Sequence, residues 1–131
     1  MTLSVKCDTL EVMETVTAMS RGLVVVDENL LDLRNELLTR NIRALTLPQQ
    51  SSDDLVAAFA SHRILITKNT KDFLQLAVEH EIGLISVEGV ARDTKNLANA
   101  ISKALREHSL WSTPKPFLFH LSNNKLESLG G

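Results

Sequence analysis

Six residues at three places in the chain carry side chains that suit a hard cation: Asp27 and Glu28, Asp53 and Asp54, and Asn69 with Asp72. Carboxylate and amide oxygens favour Mg²⁺ or Mn²⁺ over zinc. Such an ion bridges phosphate oxygens and lowers the pKa of a bound water, the chemistry of phosphodiester hydrolysis. Carboxylates brought close together repel, so a cluster persists most easily when a cation neutralises it. Each acid also has a plainer reading. Asp27 alone reads equally as an acid favoured by the dipole of a following helix, and Asp72 suits a first helical turn. Asp53 and Asp54 alone read first as helix caps, and Glu28 as a solvated first-turn residue. What separates the readings is position, because three independent caps need not share one rim of a fold.

Other chemistries find less support. His62, His80, His108 and His120 are scattered without a zinc-binding spacing, and Cys7 lies in a segment expected outside the core. The five glycines are dispersed, and none follows a strand in a dinucleotide or P-loop pattern. A receiver-like or phosphatase domain would share the rim acids, but it needs a lysine closing a later strand, and none follows strand four cleanly.

The elements that must position these residues alternate. Residues 23–27 are continuously apolar up to Asp27, the pattern of a strand buried on both faces of a parallel sheet. A helix is predicted over 29–40, with Leu30, Leu33, Leu37 and Leu38 as its buried stripe. Residues 44–47 form a brief strand closed by Pro48, and the polar run 49–52 ends in helix-capping residues. A short helix over 55–61, a strand over 63–67, a helix over 70–79 and a strand over 83–87 follow. Residues 94–107 form an amphipathic helix, Pro114 and Pro116 break its periodicity, and 117–121 form a last strand before an Asn123-Asn124 turn and a short polar end. Strands alternating with helices imply right-handed crossovers and a parallel sheet covered on both faces. In that topology Asp27, Thr67 and the Asp53-Asp54 pair lie at one rim, where open α/β sheets collect ligands.

The chain has 131 residues, 44% of them apolar and 23% charged, which fits one soluble globular domain. A net charge of −2 supplies no broad positive field, so nucleic acid would bind through a local patch or a bridging metal. A single cysteine precludes an intramolecular disulfide and fits a reducing cytoplasm. The sequence leads us to expect neither a membrane span nor a secretory signal.

The segment Val24-Val25-Val26-Asp27-Glu28-Asn29-Leu30 resembles the opening of short PIN-like proteins, whose first strand ends in an Asp-Glu-Asn-Leu signature. These are related to VapC-type toxins and Mut7-C-like domains. Residues Ile64 to Phe73 resemble the strand and turn that carry the superfamily's late acidic residue, and Ser52-Asp53-Asp54-Leu55 resembles the opening of its middle helix. The likeness spans residues 23 to 88. It implies a PIN-like three-layer sandwich, with a central parallel sheet and helices on both faces. It also implies an Mg²⁺- or Mn²⁺-dependent endoribonuclease, the toxin of a toxin–antitoxin pair. Asp27, Asp53, Asp54 and Asp72 would then be catalytic, with Asp27, Asp53 and Asp72 as metal ligands and Asp54 the competitor of Asp53. Thr67, Lys68, Asn69 and Lys71 would bind substrate. Asn69 stands where many relatives have an acid, and the middle helix lacks a further acid that toxin-type members place there.

The resemblance makes the chain one PIN-like domain, with 1–22 an added N-terminal helix, 23–107 the core and 108–131 a C-terminal extension. RNA is the implied partner, its backbone held near the rim by Lys68, Lys71 and Arg92. The alternative is a PIN-like binding module without nuclease activity, to which the thin acidic set points. The stripe Leu10, Met13, Val16 and Met19 packs on its own domain, or serves antitoxin docking or homodimerisation. Trp111, Phe117 and Phe119 read as closing one end of the core.

Overall fold

The computed structural model describes residues 22–90, 93–122 and 125–129. The expected N-terminal helix, Arg92 and the Asn123-Asn124 turn lie outside them.

Strand β1 (Leu23–Val26) is four apolar residues, all buried. Its side chains alternate between two faces, as strand geometry requires. Val24 and Val26 join one hydrophobic cluster and Val25 the other. Strands β3 (Ile64–Thr67) and β4 (Gly83–Ser86) are likewise wholly buried, and β2 (Arg43–Leu45) lies at one edge. The runs at β1, β3 and β4 are therefore interior strands that end at the expected residue or one before it, whereas the strand expected over 44–47 spans Arg43–Leu45 at the edge.

Helix α1 (Leu31–Thr39) follows β1 through a 3₁₀ turn at Glu28–Leu30. Helices α2 (Asp53–Phe59), α3 (Thr70–Glu79) and α4 (Thr94–Glu107) follow β2, β3 and β4. The α3 and α4 bounds coincide with the sequence reading. Leu33 and Leu37 of α1 meet Leu97, Ala98 and Ile101 of α4 on one face of the sheet. Ala57 of α2 meets Phe73 and Ala77 of α3 on the other face. Both faces are covered, as expected, and each large aliphatic side chain buried there contributes about 1.5–3 kcal/mol.

Four local expectations change. Leu38 is 44% exposed instead of buried, because Leu30, Leu33 and Leu37 already fill the narrow line along which α1 meets its neighbours. Ser52, not Asp53 or Asp54, caps α2, its hydroxyl accepting from the Leu55 amide at 3.1 Å. Strand β5 (Phe117–Ser122) is parallel to β4, but the polar end forms a further strand, β6 (Lys125–Ser128), antiparallel to β5. The sheet therefore runs β2-β1-β3-β4-β5-β6 and is mixed at one edge. Finally, α3 and α4 each carry the chain one strand further in the same direction yet cover opposite faces. Those two crossovers must be opposite in hand, so the right-handed rule does not hold for every connection.

The C-terminal segment completes the sheet. Phe117 is buried against Gly83, where an added Cβ would lie 2.4 Å from the Phe117 ring. Trp111 and Phe119 pack, half-buried, on the same cluster, closing that end of the core as the sequence suggested.

For the site, the decisive feature is that β1 stands between β2 and β3. The chain leaves β1 toward one edge and later leaves β3 toward the other. The loops diverge there and open a crevice at the carboxyl ends of β1 and β3.

Candidate active site at the carboxyl rim

Three buried polar residues are found among the described residues, and each lies at the carboxyl end of a strand: Asp27, Thr67 and Ser86. In each case a side-chain oxygen accepts the amide of the residue two positions on. The donors are Asn29 to Asp27 at 3.2 Å, Asn69 to Thr67 at 3.0 Å and Glu88 to Ser86 at 3.2 Å. Such local turns end a strand without stranding an amide in the core.

The turns are also joined across the sheet. The Thr67 hydroxyl donates to Asp27 Oδ2 at 2.8 Å, and the Asn69 side-chain amide donates to the same oxygen at 3.2 Å. The Asp27 amide continues the β1–β3 ladder to the Ile66 carbonyl at 3.0 Å. The carboxylate is thus placed from two strands at once, 9% exposed and with both oxygens engaged. One strand further, the Thr70 and Ser86 hydroxyls share a hydrogen bond, and Glu88 Oε1 accepts the Thr70 amide at 3.2 Å. Glu88 thereby caps α3, whose own N-cap residue Asn69 makes no side-chain cap.

Asp53 and Asp54 open α2 and Asp72 stands in the first turn of α3. All three are exposed at the rim. The Asp53 carboxyl is held above the ordinary carboxylate value, first by partial desolvation, then by the charges of Asp72, Asp27 and Asp54. Those charges come from three separate places, the end of β1, α2 and α3. Among the described residues, however, no three His, Cys, Asp or Glu side chains stand close enough to hold an ion as they lie. Like charges without a counter-charge keep apart.

A small cleft of about 70 Å³ lies over this rim. Asp27, Asp53 and Asn69 line it beside Leu47, Pro48, Val56 and Phe73. Lys68 lies away from that lining, in a second cleft shared with Val90, Thr94 and Leu97. Lys71 and Asp54 are exposed and line neither of these clefts. The resemblance-derived group therefore divides: Asp27, Thr67 and Asn69 form one connected node, Asp53 lines the same cleft, Asp72 is exposed on α3 outside that lining, and Lys68 lies in the second cleft.

The sequence reading passed over Ser86, Thr70 and Glu88. Their signal was present but faint: Thr67-Lys68-Asn69 and Ser86-Val87-Glu88 repeat a hydroxyl at a strand end followed by a polar residue two later. Glu28, read as solvated, accepts the Gln50 amide at 2.9 Å.

No protein-family model matches this chain, and no curated protein or solved structure matches it either. No helix of the described residues is long and apolar enough to cross a membrane.

Proposed function

We propose that the chain is a PIN-like, Mg²⁺- or Mn²⁺-dependent endoribonuclease, with its active centre at the Asp27 rim and the role of a toxin in a toxin–antitoxin pair. The observation that carries the nuclease reading is that Asp27 and Asp53, from two elements, line one cleft, with the Asp72 charge near enough to act on Asp53. The donor chemistry fits the ion: the oxygens are carboxylate and amide, and the Asp53 carboxyl is raised first by desolvation and then by the neighbouring acids. The toxin role rests on the resemblance of residues 23 to 88 alone.

Asp27, Asp53 and Asp72 would hold the metal. When bound, the ion supplies a water of lowered pKa and neutralises charge on a phosphate. Thr67 and Asn69 keep Asp27 in one orientation through their two hydrogen bonds, so little reorganisation is needed at the reacting centre. Lys68 and Lys71, at the start of the β3–α3 connection and of α3, supply positive charge for an RNA backbone.

The test is Mn²⁺-dependent cleavage of single-stranded RNA by the wild type and by Asp27→Asn. Cleavage by the wild type and loss in the variant is the expected result, and equal activity in both would remove Asp27 from the mechanism.

A second reading, a binding module without nuclease activity, is favoured by one observation. Both Asp27 oxygens already accept hydrogen bonds, and the acids are not drawn together as they stand. Calorimetric titration with Mn²⁺ separates the readings: uptake that depends on Asp27 supports the nuclease, and none supports the module.

A further inference from the structure

We infer that Glu28 is a positioning residue, whose carboxylate latches the β2–α2 turn to the end of β1 and so sets the distance between Asp53 and Asp27. This rests on the reading of the rim given above.

The geometry is local on one side and long-range on the other. Glu28 directly follows Asp27, and its Oε2 accepts the Gln50 amide at 2.9 Å, across 22 positions of sequence. Gln50 has a left-handed backbone, φ 69°, a conformation that non-glycine residues adopt at some cost. The turn around it is closed internally: Ser51 donates both its amide (3.2 Å) and its hydroxyl (2.6 Å) to the Pro48 carbonyl. Ser52 then caps α2, and Asp53 is the first residue of that helix. The bonds within 48–55 shape the turn but do not place it. Beyond the β1–β2 ladder, which ends at Leu45, the bond to Glu28 joins this turn to the residue just after Asp27.

Helix α2 needs such a tether at its start. It has seven residues and buries only Ala57 within its span, with Ala60 just beyond. Asp53, Asp54 and Leu55 are all exposed. Val56 and Phe59 pack half-buried on the same cluster, but all the apolar anchoring lies beyond the first three residues, so the N-terminal turn itself buries little apolar area against the sheet. The charges of Asp72 and Asp27 disfavour an ionised Asp53 beside them, after desolvation. A carboxylate on a main-chain amide is a charge-assisted acceptor, stronger than a neutral one. Its placement next to Asp27 makes the latch act on the separation of the two acids.

The decisive measurement is amide hydrogen exchange of Gln50 in the full chain, for wild type, Glu28→Ala and Glu28→Gln. We expect Glu28→Ala to accelerate Gln50 exchange about tenfold, the low end of what a bond to a charged acceptor is worth. Glu28→Gln, which keeps an acceptor oxygen, should restore most of the protection. The Asp27 amide, bonded to Ile66, should be unchanged in both. Equal Gln50 exchange in wild type and Glu28→Ala overturns the latch, and so does simultaneous acceleration at Asp27, which would show general loosening. The second readout is Mn²⁺-induced broadening of the Asp53 amide signal, expected to fall in Glu28→Ala and to return in Glu28→Gln. Undiminished broadening in Glu28→Ala overturns the effect on Asp53. Failure of Mn²⁺ to act on the wild type counts against the nuclease reading, and the exchange result still decides the latch.

Discussion

Asp27 and Asp53 face each other across one cleft, yet they are held in opposite ways. Asp27 sits in the sheet, with a backbone ladder bond, two side-chain donors and a local turn on it. Asp53 sits on the exposed first turn of a seven-residue helix, partly desolvated and near the charges of Asp72, Asp27 and Asp54. One acid is part of the scaffold, the other is carried on a turn. A rim built this way has a fixed reference charge and a partner whose distance can respond to a cation. The contrast also explains why convergence on one rim and a closed trio of ligands are different things here.

The largest expected effect tests the fixed acid. Asp27→Asn should lower Mn²⁺-dependent RNA cleavage by at least about 100-fold, since losing even an outer partner of a metal ligand costs about 10–100-fold. Asp53→Asn should cost less than Asp27→Asn, because Asp54 stands beside it. A larger loss at Asp53 than at Asp27 would invert the comparison.

Next in size is the effect on stability. Thr67→Val keeps the shape but leaves Asp27 Oδ2 short of its nearest donor in the core. The cost should be about 1–3 kcal/mol in urea denaturation, that of an under-satisfied buried acceptor. Asp53→Ala should stay within about 0.5 kcal/mol, as surface changes do. Matching losses in the two variants would mean that Asp53 is as built-in as Asp27.

The smallest effect is a pH dependence. The folded Asp53 carboxyl binds its proton more tightly than the ordinary value of 3.8 that it recovers on unfolding. Stability contributed by this group is therefore present below that value and is lost as pH rises through the raised one. Asp53→Asn should flatten this part of the denaturation-versus-pH curve just above 3.8, and an unchanged curve would remove the electrostatic coupling.

How far the sequence led depended on the range of each interaction. Thr70–Glu79 and Thr94–Glu107 were legible to the residue, because their apolar positions recur within a few residues and polar groups mark their starts. β6 was not. Its four residues are polar enough to read as a tail, and only pairing with β5 makes them a strand. Leu38 was misassigned since the pattern allowed a wider stripe than the contact with α4 uses. Among site residues, Asp27, Asp53, Asp72, Thr67 and Asn69 were all named from sequence. Ser86, Glu88 and the true partner of Glu28 were not, because each of their bonds joins segments whose adjacency depends on strand order.

The amino-acid sequence by itself determined where the chain goes in and out of the core: four-residue apolar strands, amphipathic helices and acids at their junctions. These follow from local burial and capping, which act over a handful of positions. Tertiary structure alone decided that β1 lies between β2 and β3, that Thr67 and Asn69 clasp Asp27 from 40 and 42 positions away, and that Glu28 reaches Gln50. Such bonds carry no local signature, because a donor and acceptor far apart in sequence become partners only when a register brings their strands side by side.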